Sequence, residues 1–200
     1  MKTTRPFRES AQLSLWLALV AVLFTAWGLN IIFRSSFVAV DGRRCFCLFD
    51  DAMICMRYAW NLLHGHGLVW NPGERVEGVT TLLLTFTMAL WQLLLPKNLA
   101  SLGVQLSGLG FLLGIAVLTF KIGSRWFASA QEPARTVLLA LCFLTGLVYY
   151  PLDYWSIMGM ETGLLTILLV AALHFLIENE KRVRVSWEWA LCAGLERAPI

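Results

Sequence analysis

Five stretches of this chain, residues 10 to 33, 78 to 96, 98 to 120, 136 to 152 and 162 to 177, contain no Asp, Glu, Lys or Arg. A helix needs roughly 20 mostly apolar residues to cross the hydrocarbon core of a bilayer, and the first and third stretches reach that length. The second, fourth and fifth are short, so each must tilt, thin the bilayer around it or insert only partly. Only 14% of residues are charged and 58% are hydrophobic, whereas about a quarter of a soluble domain is charged. The expected fold class is therefore an all-α integral membrane protein, a multispan helical bundle. Membrane lipid is its surroundings, and nucleic acid is not expected among its partners.

Lys2, Arg5 and Arg8 precede the first apolar run, which raises the possibility of a secretory signal. The run from Ala11 to Phe33 is longer than the roughly 7 to 15 residues of a signal core and lacks a small-residue cleavage site, so it reads as an uncleaved anchor. The five cysteines, Cys45, Cys47, Cys55, Cys142 and Cys192, are odd in number and scattered between loop and spans. They do not form a disulfide framework. Cys45 and Cys47 could chelate a metal or close a bridge, but they lack the second pair that structural zinc needs. His64 and His66 read as polar loop residues, and no metal site is assigned.

The chain divides into a tail (1–10), an anchor (11–33), a long polar loop (34–77) and the remaining spans and short loops (78–200). A sixth apolar stretch starts at Trp187, and the tail from Gly194 to Ile200 reads as a truncation or frame change partway through an element. Basic residues in short loops favour the cytoplasmic side. The tail, the loop 121–135 and the segment 178–184 carry such an excess, which places them inside. The long loop balances five basic with five acidic residues, and 151–161 carries only Asp153 and Glu161, which places both outside. Two full crossings between 78 and 120 would reverse this order. The 78–96 stretch is accordingly expected to lie along the interface, with Trp91 near the headgroups.

The long loop holds most of the reactive side chains. Residues 50 to 64 are compatible with a helix that stops at Gly65, a natural residue for a helix C-terminus. At 100° per residue, Asp50, Arg57, Asn61 and His64 form one polar stripe facing a shared cavity, while Met53, Met56, Ala59, Trp60 and Leu63 cover another side. Asp50 begins the helix, where a carboxylate can cap free N–H groups. Beyond it, the Asn71-Pro72-Gly73-Glu74 segment suits a type II turn with positive φ at Gly73. Taken by itself, the pattern also fits an amphipathic helix lying on the bilayer surface.

The string Asp50-Asp51-Ala52, Arg57-Tyr58-Ala59, Asn61, Gly65-His66-Gly67-Leu68 and Asn71-Pro72-Gly73-Glu74-Arg75-Val76-Glu77-Gly78 resembles the first extracytoplasmic loop of bacterial polytopic glycosyltransferases of the GT-C fold. It is most similar to the terminal arabinofuranosyltransferase B type of mycobacteria. Gly159-Met160-Glu161-Thr162-Gly163-Leu164 resembles a second signature of those proteins, in a later external loop. The resemblance implies a GT-C bundle in the bacterial cytoplasmic membrane. It implies transfer of a sugar, arabinofuranose in the nearest type, from a polyprenyl-phosphate donor to a glycan or glycolipid acceptor of the cell envelope.

On the same resemblance an Asp of the first loop is the general base, Asp50 first and Asp51 second. Arg57 pairs with the carboxylate or clamps the donor phosphate, and Asn61, His66, Asn71, Glu74, Glu77 and Glu161 contribute to substrate binding. A divalent cation is left open as a cofactor. The family has more spans than this chain, and its loop cysteines and doubled His-Gly are not family features. A non-catalytic transporter or assembly subunit, or a truncated pseudoenzyme, stands as the alternative. Transporters keep ionisable residues within their spans, whereas here they gather in the loop, His174 excepted.

Overall fold

The computed structural model describes residues 5–74, 76 and 78–179. Glu77, the stretch from Trp187 and the tail from Gly194 lie outside the described residues. Among the described residues seven helices form: α1 (Arg5–Arg34), α2 (Asp50–Leu63), α3 (Leu82–Leu94), α4 (Lys97–Trp126), α5 (Ala134–Val148), α6 (Tyr150–Ile157) and α7 (Thr162–Glu178). Among the described residues, Gln12–Arg34 and Lys97–Trp126 are long and apolar enough to cross a membrane. Helices α5 and α6, bent by 47° at their junction, add a third if they act as one span. Leu15, Trp16 and Leu23 of α1 and Leu169 of α7 point outward, each more than 60% exposed. An apolar exterior of this kind is stable only in an apolar solvent, and the chain is a helical membrane protein.

The long helix α4 is the hub, packing against α1, α3, α5, α6, α7 and the hairpin. Its glycines explain how so many neighbours come close. Gly103 lies under the Trp91 ring, Gly108 against the backbone of Ser156, Gly114 under Ile167 and Gly123 under Cys142. Small residues allow this approach where lipid offers no hydrophobic drive to bring helices together. One core joins Ile32, Leu112, Ile115, Phe143, Leu147 and Ile157. A second seats the polar-loop helix on the bundle through Leu48, Ala52, Met56, Ala59, Met88 and Val104.

The expected all-α class holds, with one small hairpin added: β1 (Ser36–Val38) and β2 (Arg44–Phe46) pair antiparallel, with Phe37 opposite Cys45. The Ala39 N–H donates to the Arg43 carbonyl at 2.8 Å, and Asp41 accepts from the Arg43 N–H at 3.0 Å, closing the hairpin. Three-residue strands leave too little alternation to be legible in sequence.

The acidic segment 151–161 is mostly helix α6, because Pro151 sits in the first turn where its missing N–H is not needed. Asp153, expected in an external loop, is buried to 2% exposure. The Trp91 indole N–H donates to Ser107 Oγ at 2.8 Å, which ties α3 to α4. Helix α3 itself has 13 residues, about 20 Å at 1.5 Å per residue, less than the roughly 30 Å hydrocarbon core.

Candidate functional site

Helix α2 starts at Asp50 with Phe49 as N-cap. The carboxylates of Asp50 and Asp51 therefore occupy the first turn, where they meet the positive end of the helix dipole, and no side chain caps the free N–H groups. The capping expected of Asp50 fails because Asp50 is itself the first helical residue. At the other end, Gly65 N–H donates to the Leu62 carbonyl and His66 N–H to that of Asn61, at 3.2 and 3.0 Å. This is the paired bonding of a Schellman stop. Beyond it the turn forms, with the Glu74 N–H donating to the Asn71 carbonyl at 3.2 Å and Gly73 at φ +89°.

The two signature segments are docked on each other. The Phe49 N–H donates to the Met158 carbonyl at 2.9 Å, and the Phe49 ring meets Trp155 edge-on with centroids 4.7 Å apart. Gly159 adopts φ +88°, and a β-carbon there would sit 2.8 Å from Leu48. Glycine is thus required by backbone conformation, and a β-carbon would also press on the Leu48 side chain. This docking brings Asp51 and Glu161, 110 positions apart in sequence, to the wall of one cavity of about 230 Å³. Thr80, Thr81 and Cys55 line it too, and the Cys55 thiol lies 3.4 Å from the Thr81 hydroxyl.

A second cavity, about 530 Å³, opens between α2, the hairpin and the start of α4. Arg57 lines it with Arg43 and Lys97, above Met53, Met56 and Trp60. The Lys97 ammonium rests over the Trp60 ring, 4.7 Å from its centroid, a cation–π arrangement that holds the charge in place. Sequence reasoning misses both Arg43 and Lys97, because nothing local marks a lysine at a helix start or a hairpin arginine as a partner of Arg57.

The polar stripe does not face a single cavity. Arg57 lines the larger one, Asp50 lines neither, and His64 stacks on Trp60 with centroids 4.0 Å apart. Among the described residues no ion pair joins Arg57 to Asp50 or Asp51; its Nε donates to the Trp70 carbonyl at 3.3 Å.

Asn61, expected on the substrate face, is buried, and its amide donates to the Val69 and Trp70 carbonyls at 2.7 and 2.8 Å. It is the clasp of the loop. Replacing it with Ala strands the Val69 carbonyl, leaves that of Trp70 only the longer bond from Arg57, and is expected to cost about 1–3 kcal/mol. The expected result is faster chymotrypsin cleavage within residues 66–74, and an unchanged rate would refute it. His66 lines a separate apolar hollow with Leu68, Val76 and Leu82. Asn71 and Glu74 bond to each other across the turn at 3.0 Å.

Among the described residues no group of three or more His, Cys, Asp and Glu is arranged to hold a metal.

No family model matches the chain, and no solved structure matches it. Among curated proteins, it is 31% identical over 156 residues to the terminal beta-(1->2)-arabinofuranosyltransferase of Mycobacterium tuberculosis. The similarity is to a glycosyltransferase. It covers 76% of this chain and 22% of the relative, so the chain spans under a quarter of that protein's length. A membrane protein with a glycosyltransferase-like relative agrees with the expectation from the loop signatures at this coarse level.

Proposed function

We propose that the chain is, or is part of, a GT-C type glycosyltransferase of the bacterial cytoplasmic membrane, its polar loop extracytoplasmic. It transfers a sugar, arabinofuranose by analogy with the relative's name, from a polyprenyl-phosphate donor to a glycan or glycolipid acceptor. The observation that carries the reading is the meeting of Asp51 and Glu161 in one cavity, drawn from two separate signatures.

A carboxylate within hydrogen-bond reach of the acceptor hydroxyl takes its proton as the oxygen bonds to the anomeric carbon. The bond from that carbon to the phosphate oxygen breaks, and the lipid phosphate leaves. Asp51 is favoured over Asp50 as this base because it lines that cavity, with Glu161 of the same lining holding sugar hydroxyls. Arg57 lines the separate cavity across α2 with Arg43 and Lys97 and remains a proposed contributor to donor binding, away from the bond that breaks. His66, Asn71, Glu74 and Glu77 remain proposed contributors to acceptor binding at the rim.

One experiment tests activity and orientation together. Spheroplasts expressing the protein that carries this sequence are supplied with a polyprenyl-phosphate-linked labelled sugar and a membrane-impermeant glycan acceptor outside. Label is expected in the acceptor, and inverted vesicles are expected to label it only after permeabilisation. Labelling from a nucleotide sugar with none from the lipid donor would reject the reading.

A further inference from the structure

The larger cavity is lined by four sulfur-bearing residues to which the proposed transfer gives no chemical role. Cys45 and Cys47 come from the hairpin edge, and Met53 and Met56 from one face of α2. Both thiols are free and half-buried. We propose that this cluster binds a soft monovalent metal ion, copper(I), through the two thiolates with one or both thioethers completing the site.

The backbone that carries three of the four residues is fixed by structure that exists without the ion. Cys45 sits in β2 opposite Phe37. The carbonyl of Cys47 accepts from Gln105 Nε2 of α4 at 3.1 Å. Met56 is buried, and Gln92 Nε2 donates both to its carbonyl, at 2.9 Å, and to its sulfur, at 3.5 Å. Met53 lies one turn earlier on the same helix face.

The chemistry selects the ion. Thiolate and thioether are the soft donors that favour copper(I), whereas a closed zinc site takes four thiolate or imidazole ligands, and no imidazole lines this cavity. A disulfide suits the pair poorly, because it needs Cβ atoms about 3.5–4.5 Å apart. Residues two apart along a strand are spaced about 6.6 Å, a gap that an ion between two sulfurs spans more readily. Binding releases the two S–H protons and leaves a bis-thiolate copper(I) unit of charge −1. Arg43, Arg57 and Lys97 on the same wall complement that charge. The inference does not rest on the glycosyltransferase reading.

The test is anaerobic titration of the full chain in detergent with copper(I), against bicinchoninate as competing chelator. A Cys55→Ser, Cys142→Ser, Cys192→Ser background leaves only the two thiols in question, and one equivalent of copper(I) is expected to bind there. In that background Cys45→Ser with Cys47→Ser is expected to abolish binding, helical circular dichroism confirming the fold. Met53→Leu with Met56→Leu, which keeps both thiols, is expected to weaken it by about tenfold or more, the lower end of what losing a supporting group costs a metal site. Failure to compete with the chelator, retention after loss of both thiols, or zinc(II) bound as tightly as copper(I) would overturn the proposal. Unchanged affinity in the methionine variant would overturn the four-sulfur site. None of these results bears on sugar transfer, so the two readings fail separately.

Discussion

Asp51→Asn is expected to lower sugar transfer by about 10²- to 10⁴-fold, the usual loss when a general base is removed, while Asp50→Asn lowers it by less than about tenfold on the same scale. The two carboxylates are neighbours in the first turn of α2, and both enjoy the helix dipole. Only Asp51 lines the cavity that also contains Glu161. An isosteric amide keeps the shape and the hydrogen bonding of that wall but cannot accept a proton from the acceptor hydroxyl. The loss should therefore fall on kcat, with KM little changed. Glu161→Gln is expected to raise KM for the acceptor more than it lowers kcat. The measurement is transfer from the polyprenyl-phosphate donor by membranes containing each variant. Full activity in Asp51→Asn with a large loss in Asp50→Asn would return the base to Asp50, and full activity in the double variant would remove both from the chemistry.

The difference between those two aspartates shows where sequence reasoning stops. Helical periodicity places the helix at 50 to 64, and the local chemistry of Gly65 and of Pro72-Gly73 ends it and turns the chain as expected, because these are short-range effects. The same periodicity groups Asp50 with Arg57, Asn61 and His64 but says nothing about which side the rest of the chain covers. That is decided by segment 155–161, which docks through Phe49 and Gly159 onto the start of α2 and makes Asp51 a cavity residue. Asn61 shows the same limit. An Asn on a polar stripe reads as a ligand until the carbonyls of Val69 and Trp70 fold back onto it. The apolar helices themselves are legible because charge-free length is a property of composition along the chain. The helix at 150–157 is less legible: Pro151 marks its first turn, but the burial of Asp153, Ser156 and Ile157 depends on helices distant in sequence.

That packing predicts the largest structural effect. Gly108 faces the backbone of Ser156, and a β-carbon there would collide with the Ser156 carbonyl group; at Gly146 it would lie 2.8 Å from the Ala116 nitrogen and 2.9 Å from its Cα. In both cases the obstacle is backbone, which cannot rotate out of the way as a side chain can. Overpacking typically costs about 1–3 kcal/mol, and these sites should fall at the upper end for Ala and beyond it for Val. Gly110, on the same helix, has open space around it, with nothing within 4 Å of where a β-carbon would stand. Gly110→Ala should therefore be neutral, or should stabilise by up to about 1 kcal/mol through helix propensity. Unfolding in detergent can be followed by the accessibility of the Cys55 thiol, which is 8% exposed in the folded chain. Because α6 leads directly into the Met158 to Glu161 segment, Gly108→Val should also loosen the wall opposite Asp51 and reduce transfer in step with stability. Equal stability for Gly108→Val and Gly110→Ala would mean that α4 and α6 do not meet at this crossing, and the placement of Glu161 beside Asp51 would then lose its support.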